Sequence, residues 1–164
     1  MTSKSHIQTL FAYHWHTTQH LMDCAAKLEE ADFKENPGYG HGSIHDLLFH
    51  LLRTDSNWRL GLETGQQLAL IRKEDFPDLR SLRDGFQREQ GEWQILLDKL
   101  EADEIESDIS LTNRHGDIVS MPRWEIFYHL VLHGMQHHAE LAQLLTGKGQ
   151  SPGNLDFIFY SDRK

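Results

Sequence analysis

Four histidines and one glutamate lie within twelve residues of the chain: His129, His133, His137, His138 and Glu140. The segment around them contains no proline and carries apolar residues at the spacing of an amphipathic helix. Residues three or four apart lie on one face of a helix, so His133, His137 and Glu140 share one side. Imidazole is a common ligand of divalent transition metals. The spacing therefore predicts that His133 and His137 bind one metal ion together.

The apolar stripe of this helix indicates which histidines face the interior. A helical wheel places His137 near the middle of the stripe and His133 near its edge. His129 and His138 fall on the two flanks, and we expect both to face away from the core. A single buried imidazole is commonly satisfied by a polar neighbour, whereas a pair on one stripe favours a metal. Gly134 stands where HExxH metalloproteases carry their catalytic glutamate, so the pair does not predict that chemistry.

Composition favours a water-soluble protein, and we expect one domain over residues 1–164 in the cytoplasm. The chain is 38% hydrophobic, but it has no run of ~18 apolar residues that would predict a membrane span. Its first residues lack the apolar core of a signal peptide. Cys24 is the single cysteine, which excludes an internal disulfide and suits a reducing compartment.

The net charge argues against one class of function, and the histidine content points to another. The net charge of -9 argues against a nucleic-acid-binding surface, which is usually basic. The chain has 12 histidines among 164 residues, far more than proteins usually carry, and this excess directs attention to metal ligands.

Apolar periodicity predicts four long helices separated by polar loops. Ser43, with Asp46 three residues later, is a capping box that begins the second helix, and Gly65 ends it. Pro122 suits the first turn of the fourth helix. Before that helix, separated apolar residues around Gly116 predict a short β-hairpin. The helices are expected over residues 5–30, 44–62, 78–101 and 122–146, which favours an all-α, antiparallel four-helix bundle.

Polar residues elsewhere on these helices give weaker signals. His14 lies in the apolar stripe of the first helix and is a candidate for the bundle interior. His50 lies at the margin of the second helix's stripe, where a partly exposed hydrogen-bonding role is as compatible with the pattern as a ligand role. His45 falls on the polar side of that helix, and we expect it to be solvated. The charges of the third helix, including Glu89, are expected to form a solvated face.

Three motifs follow one another along the chain. The first, Ser43-Ile-His-Asp-Leu-Leu-Phe-His50-Leu-Leu, is followed by Trp58. The second is the fourth-helix segment, with the pattern H-x3-H-x3-H-H-A-E-L. The third is the ending Leu144-Leu-Thr-Gly-Lys-Gly-Gln-Ser-Pro-Gly-Asn-Leu-Asp156. In combination they resemble the DinB/YfiT-like superfamily of metalloenzymes, whose fourth-helix motif is usually H-x3-H-x3-H-H-R-G/A-Q/E.

The resemblance implies a four-helix bundle with up-down-down-up topology, and a homodimer. Motif by motif, it implies that His50, His133 and His137 bind a divalent transition metal, zinc or nickel in most members. His129 and His138 are then left with supporting roles. Ala139 stands where many members carry arginine, so whatever that arginine supports is either absent here or supplied by another residue.

The resemblance also implies an enzyme with a small-molecule substrate. Three neutral imidazoles that leave a position open are typical of a catalytic zinc site. Relatives include thiol-dependent S-transferases that use low-molecular-weight thiols such as bacillithiol or mycothiol, so a transferase is one expectation. A metal-dependent hydrolase is a second, and a non-enzymatic metal-binding module of the stress response is a third.

Four side chains are candidates to support the site. Asp46, Asp55, His129 and Glu140 are each placed to orient a ligand imidazole. Glu140, one turn beyond His137, is also the candidate general base if the chemistry is hydrolysis. For each of them the alternative is a surface or interhelical salt bridge that contributes little.

Overall fold

The computed structural model describes residues 3–66, 71–113 and 115–161. In chain order its elements are α1 (Lys4–Ala25), α2 (Glu30–Lys34), α3 (Ile44–Thr64), a 3₁₀ turn (Lys73–Asp75), α4 (Leu79–Lys99), β1 (Asp108–Thr112), β2 (Ile118–Pro122), α5 (Arg123–Gly147) and α6 (Phe157–Ser161). Within these ranges no helix is both long and apolar enough to cross a membrane.

Local sequence signals set the ends of the long helices. At the start of α3 the Ser43 hydroxyl accepts the Asp46 N–H while the Asp46 carboxylate accepts the Ser43 N–H, as the capping box predicts. Gly65 ends α3 with a φ of 73°, in the left-handed region that glycine adopts without strain. Asp78 and Ser81 form a second capping box at the start of α4.

The structure corrects one expectation about the connections between the long helices and confirms another. The first helix was expected to reach residue 30, but α1 ends at Ala25 and the short α2 follows as a separate element. The predicted hairpin before the last long helix is confirmed, with β1 and β2 antiparallel and Ser110 opposite Ser120. Leu111 of the hairpin is fully buried, so the hairpin packs on the bundle, as a two-stranded sheet must to be stable in water.

The four long helices form a bundle in which two neighbouring pairs run parallel. For α1 with α5 and for α3 with α4, successive contacts advance towards the C-terminus on both helices, so each of these pairs is parallel. For α1 with α4 and for α3 with α5, they advance on one helix and go back on the other, so each of these pairs is antiparallel. For the four helix pairs in the order just given, the two contacts that decide the direction are Phe11–Phe127 and Thr18–His138; Leu52–Gly85 and Arg59–Glu89; Lys4–Asp98 and Asp23–Arg83; and His50–His133 and Trp58–His129. The predicted up-down-down-up fold class is therefore confirmed.

Two apolar clusters fill the bundle, one towards each end. One includes Leu21, Leu48, Phe86 and Leu141, and the other includes Phe11, Trp93, Phe127 and Leu130. Between them lies a buried polar layer formed by His14, Thr18, Asp55 and His138. The bundle interior is thus apolar, then polar, then apolar along its axis.

A buried ion pair joins the two parallel helices α3 and α4. The guanidinium of Arg59 donates two hydrogen bonds to the Glu89 carboxylate, at 2.6 and 3.1 Å. The expectation that Glu89 lies on a solvated face was wrong, because α3 covers that side of α4 and supplies the arginine.

Candidate metal centre

Three histidines on two antiparallel helices direct their rings at one point. α3 carries His50, and α5 carries His133 and His137 one turn apart. Nε2 of His133 lies 3.1 Å from Nε2 of His50 and 3.1 Å from Nε2 of His137. A tetrahedral zinc ion with Zn–N bonds of about 2.0–2.1 Å separates its ligand nitrogens by about 3.3 Å. Both separations from His133 therefore fit nitrogen ligands of one small divalent ion.

The surroundings keep two of these rings, those of His50 and His133, neutral. Burial, reinforced by the neighbouring His137 and His41, lowers the pKa of His50 to about 4. Burial, reinforced by His137 and His50, lowers the pKa of His133 to about 3. A metal ligand must be a neutral imidazole with a free lone pair. At neutral pH both rings are therefore ready to bind a cation without first losing a proton.

Glu140 fixes the orientation of one of these rings. Its Oε2 atom accepts a hydrogen bond from Nδ1 of His137 at 3.1 Å. Burial raises the pKa of Glu140, but hydrogen bonds from His137 and His41 outweigh it and hold the pKa below its usual value. An ionised carboxylate on Nδ1 selects the tautomer that leaves Nε2 free for a metal. Contact with His137 is thus the arrangement expected for a residue that orients a ligand.

A further histidine, His41, joins the group from the loop before α3. Its Nδ1 lies 3.2 Å from Oε2 of Glu140, and its ring stacks on that of His50 at 5.0 Å. The ligand atoms of His41, His50 and His137 all lie within 4.8 Å of one another, close enough to hold one ion. Sequence reasoning missed His41, because a loop residue has no helical spacing to link it to His133 or His137. Its one sequence signal is that it lies between two glycines, two residues before the Ser43 cap.

An open cleft of about 550 Å³ leads to the histidines. Its walls carry His41 and His50, the apolar ring of Phe49, and several cationic and acidic side chains: Asp46, Arg53, Arg72, Lys73 and Glu74. The guanidinium of Arg53 lies 5.9 Å from the centre of the Phe49 ring. A cleft of this size is suited to a small molecule, and two of the four clustered histidines, His41 and His50, form part of its wall.

A model of the DinB family matches residues 1–164, the whole length of the chain. The chain belongs to the DinB family. The solved structure of YfiT from Bacillus subtilis, described as a probable metal-dependent hydrolase with an unusual four-helix bundle topology, is similar with a TM-score of 0.64 and 14% sequence identity. The match covers 91% of this chain and 91% of YfiT, and at that identity it establishes the shared fold. No curated protein sequence matches significantly.

In this DinB chain the other predicted supporting residues lie in different places. The Asp46 carboxylate caps α3 and binds the Lys73 ammonium, which, with Ser43, outweighs the effect of burial and lowers the pKa of Asp46 to about 2. Asp55 accepts a hydrogen bond from Nε2 of His14 at 3.0 Å, inside the buried polar layer. His129 lies one turn before His133, with their ring centres 5.6 Å apart. Of the four candidates, Glu140 has a direct hydrogen bond to one of the three converging rings.

His138 and His45 are more deeply buried than the sequence pattern indicated. His138 is only 3% exposed, because α5 is covered by α1 on one side and by α3 on another. Thr18 donates its hydroxyl proton to the His14 carbonyl, so its oxygen accepts the proton on Nε2 of His138 at 2.8 Å. His45, expected to be solvated, is 5% exposed and donates to the Phe76 carbonyl at 2.6 Å.

The buried His138 predicts that the metal-free protein loses stability in acid. Burial, reinforced by His14 and His137, holds the pKa of His138 well below its usual 6.5. The folded state then binds fewer protons than the unfolded state below pH 6.5, so the free energy of unfolding falls as pH drops, by about 1.4 kcal/mol per pH unit for one such histidine. Urea unfolding between pH 7 and pH 5 measures this slope.

His138→Gln is the matched variant for that experiment, since glutamine keeps a polar group near Thr18 but does not titrate. Its stability is expected to depend less steeply on pH than that of the wild type, with His50 and His133 supplying what remains. A wild-type stability that is flat from pH 7 to pH 5 would contradict the neutral, buried state of His138.

Proposed function

We propose that this DinB protein is a metal-dependent hydrolase whose divalent ion, zinc or nickel, is held by His50, His133 and His137. The observation that carries the proposal is the convergence of three Nε2 atoms, with His133 3.1 Å from each of the other two. When bound, an ion held by three imidazoles supplies a Lewis acid that activates water and polarises a substrate oxygen.

Each side chain has a role that follows from its position. α3 and α5 pack directly on each other, so His50, His133 and His137 are brought together by the fold before a metal arrives. Glu140 orients His137 through Nδ1, and because its Oε2 is already shared with His41, it acts as a positioning residue more than as a general base.

The cleft favours a small substrate that carries a negative group. Arg53 follows His50 by one helical turn and lies on the cleft wall next to the histidines. Arg72 and Lys73 line the same cleft, with Asp75 and Asp46 as their respective ion-pair partners. A carboxylate or phosphate of the substrate can bind at Arg53 while the scissile bond lies at the histidine group. The favoured class is therefore a small ester or amide with an acidic substituent.

The test is hydrolysis by zinc-loaded, nickel-loaded and metal-free protein of a panel of acidic and neutral esters and amides. Each reaction is run with and without a low-molecular-weight thiol. We expect turnover that needs the metal, does not need the thiol, and is faster for acidic substrates. Arg53→Gln should raise KM for the acidic substrates and leave the neutral ones unchanged.

Other outcomes assign the site to the other function classes. A metal ion held by the same three imidazoles would also bind a thiol as its thiolate, so turnover that appears only with added thiol would replace the hydrolase by an S-transferase. A protein that binds one equivalent of metal, yet turns over no substrate under either condition, would be a metal-binding module. Either result overturns the hydrolase proposal.

A further inference from the structure

The loop that carries His41 folds back over the metal centre. His41 lies between α2 and α3, and the glycines on both sides of it, Gly40 and Gly42, have φ values of 62° and 95°. These left-handed conformations are readily available to glycine and costly for other residues, so they allow the sharp reversal. The reversal brings the His41 ring onto His50, with the two planes 23° apart, and edge-on to His137 at 4.5 Å.

One carboxylate sets the tautomers of two of these rings. Oε2 of Glu140 accepts from Nδ1 of His137 at 3.1 Å and from Nδ1 of His41 at 3.2 Å. A ring that donates from Nδ1 keeps its Nε2 lone pair when it is neutral. His41 is therefore prepared as a metal ligand by the same group that prepares His137, and its ligand atom lies within 4.8 Å of those of His50 and His137.

We propose that His41 is a fourth, exchangeable ligand of the ion held by His50, His133 and His137. This inference rests on the proposed metal site, and it adds the residue that occupies the position facing the cleft. The helical histidines are half-buried or buried, whereas the His41 side chain is 43% exposed and lines the cleft. A substrate entering the cleft therefore meets His41 first and takes its place on the ion as the glycine-flanked loop moves aside.

The two states of the site differ in coordination. With His41 bound, four nitrogen ligands close the ion in the manner of a structural zinc site. With His41 displaced, three ligands remain and one position is open, as catalysis requires. His41 thus protects the ion in the absence of substrate without blocking the reaction.

Zinc X-ray absorption spectroscopy, which counts imidazole ligands, tests this directly on the zinc-loaded protein. We expect four imidazoles in the wild type and three in His41→Ala. Zinc affinity, measured by competition with a chelator, should fall by about 10-fold or more in His41→Ala. His41→Cys should restore affinity and add one sulfur at about 2.3 Å from the zinc, which a merely packing role for His41 would not produce.

His115→Ala is the matched control, because His115 is the other loop histidine and lies in the turn of the hairpin. It should leave both the ligand count and the affinity unchanged. Three imidazoles in wild type and in His41→Ala alike, with equal affinity, would overturn the fourth ligand and leave the three-histidine site standing. A wild type that binds no metal would instead overturn the proposed function itself.

Discussion

Replacing His50, His133 or His137 by alanine is expected to abolish stoichiometric metal binding. Each variant removes one of three nitrogens that lie 3.1 Å from a neighbouring ligand atom. Loss of a residue that only supports a ligand costs about 10–100-fold in affinity, so loss of one of these three helical ligands should cost more than about 100-fold. Elemental analysis should find about one equivalent in the wild type and a small fraction of that in each variant.

Two further variants separate ligands from supporting residues. His6→Ala removes an exposed histidine near the start of α1 and should leave the metal content unchanged. Glu140→Gln should bind metal with an intermediate affinity, because glutamine keeps an acceptor for the His137 proton but loses the charge. Full metal content in all three alanine variants, with circular dichroism unchanged, would show that these histidines are not the ligands.

Thermal unfolding supplies an independent check of the same prediction. A ligand that binds the folded state and not the unfolded state raises the unfolding temperature, by an amount that grows with the logarithm of the ratio of ligand concentration to Kd. Added zinc should therefore raise the Tm of the wild type and of His6→Ala but leave His50→Ala, His133→Ala and His137→Ala unchanged.

Gly134→Ala is expected to destabilise the protein, although alanine is the better helix former. A Cβ atom at Gly134 would lie 2.3 Å from Nδ1 of His14 and 2.5 Å from its Cε1. His14 cannot move away freely, because its Nε2 binds Asp55 at 3.0 Å and its ring stacks on His138 at 5.1 Å. Overpacking of this kind costs about 1–3 kcal/mol, and more if the buried pair with Asp55 is broken.

Gly91→Ala supplies the opposite result as a control. Gly91 lies on α4, and a Cβ atom there meets nothing within 4 Å. With no clash, the helix propensity of alanine should stabilise the protein by about 0.5–1 kcal/mol. Urea unfolding of the two variants should shift in opposite directions from wild type. Shifts of the same sign and size would mean that the packing of His14 on Gly134 does not constrain the bundle.

Helical spacing was enough to place His133 and His137 together on one face, because both lie on one continuous helix. The wheel left His50 undecided, since α3 and α5 lie far apart in sequence, and only the likeness to a known family motif joined it to the pair. His41 could not be predicted, because loop conformation and the fold together decide where it lies. Its position depends on the positive φ of Gly40 and Gly42 and on the acceptor that Glu140 provides.

The errors at His138 and Glu89 share one physical cause. A wheel with a single apolar stripe assumes that each helix is buried along one line, but each long helix of this bundle has two neighbours. α5 packs on α1 as well as on α3, which buries His138, and α4 packs on α3 as well as on α1, which buries Glu89. Polar residues on the second buried line look like surface residues until their partners, Thr18 and Arg59, are known.

The buried polar layer also determines how the helices align along the bundle axis. A slide of one helix by a single turn, about 5.4 Å, would still place apolar side chains opposite apolar side chains within each cluster. The same slide would strand the Asp55 carboxylate among apolar side chains, away from His14, and remove the partner of His138. Only one alignment of the helices along the bundle axis satisfies both the His14–Asp55 and the Thr18–His138 contact. That alignment also places His50 beside His133 and His137. The buried polar layer thus fixes, during folding and before any ion is present, where the ligand residues of α3 and α5 lie along the bundle axis.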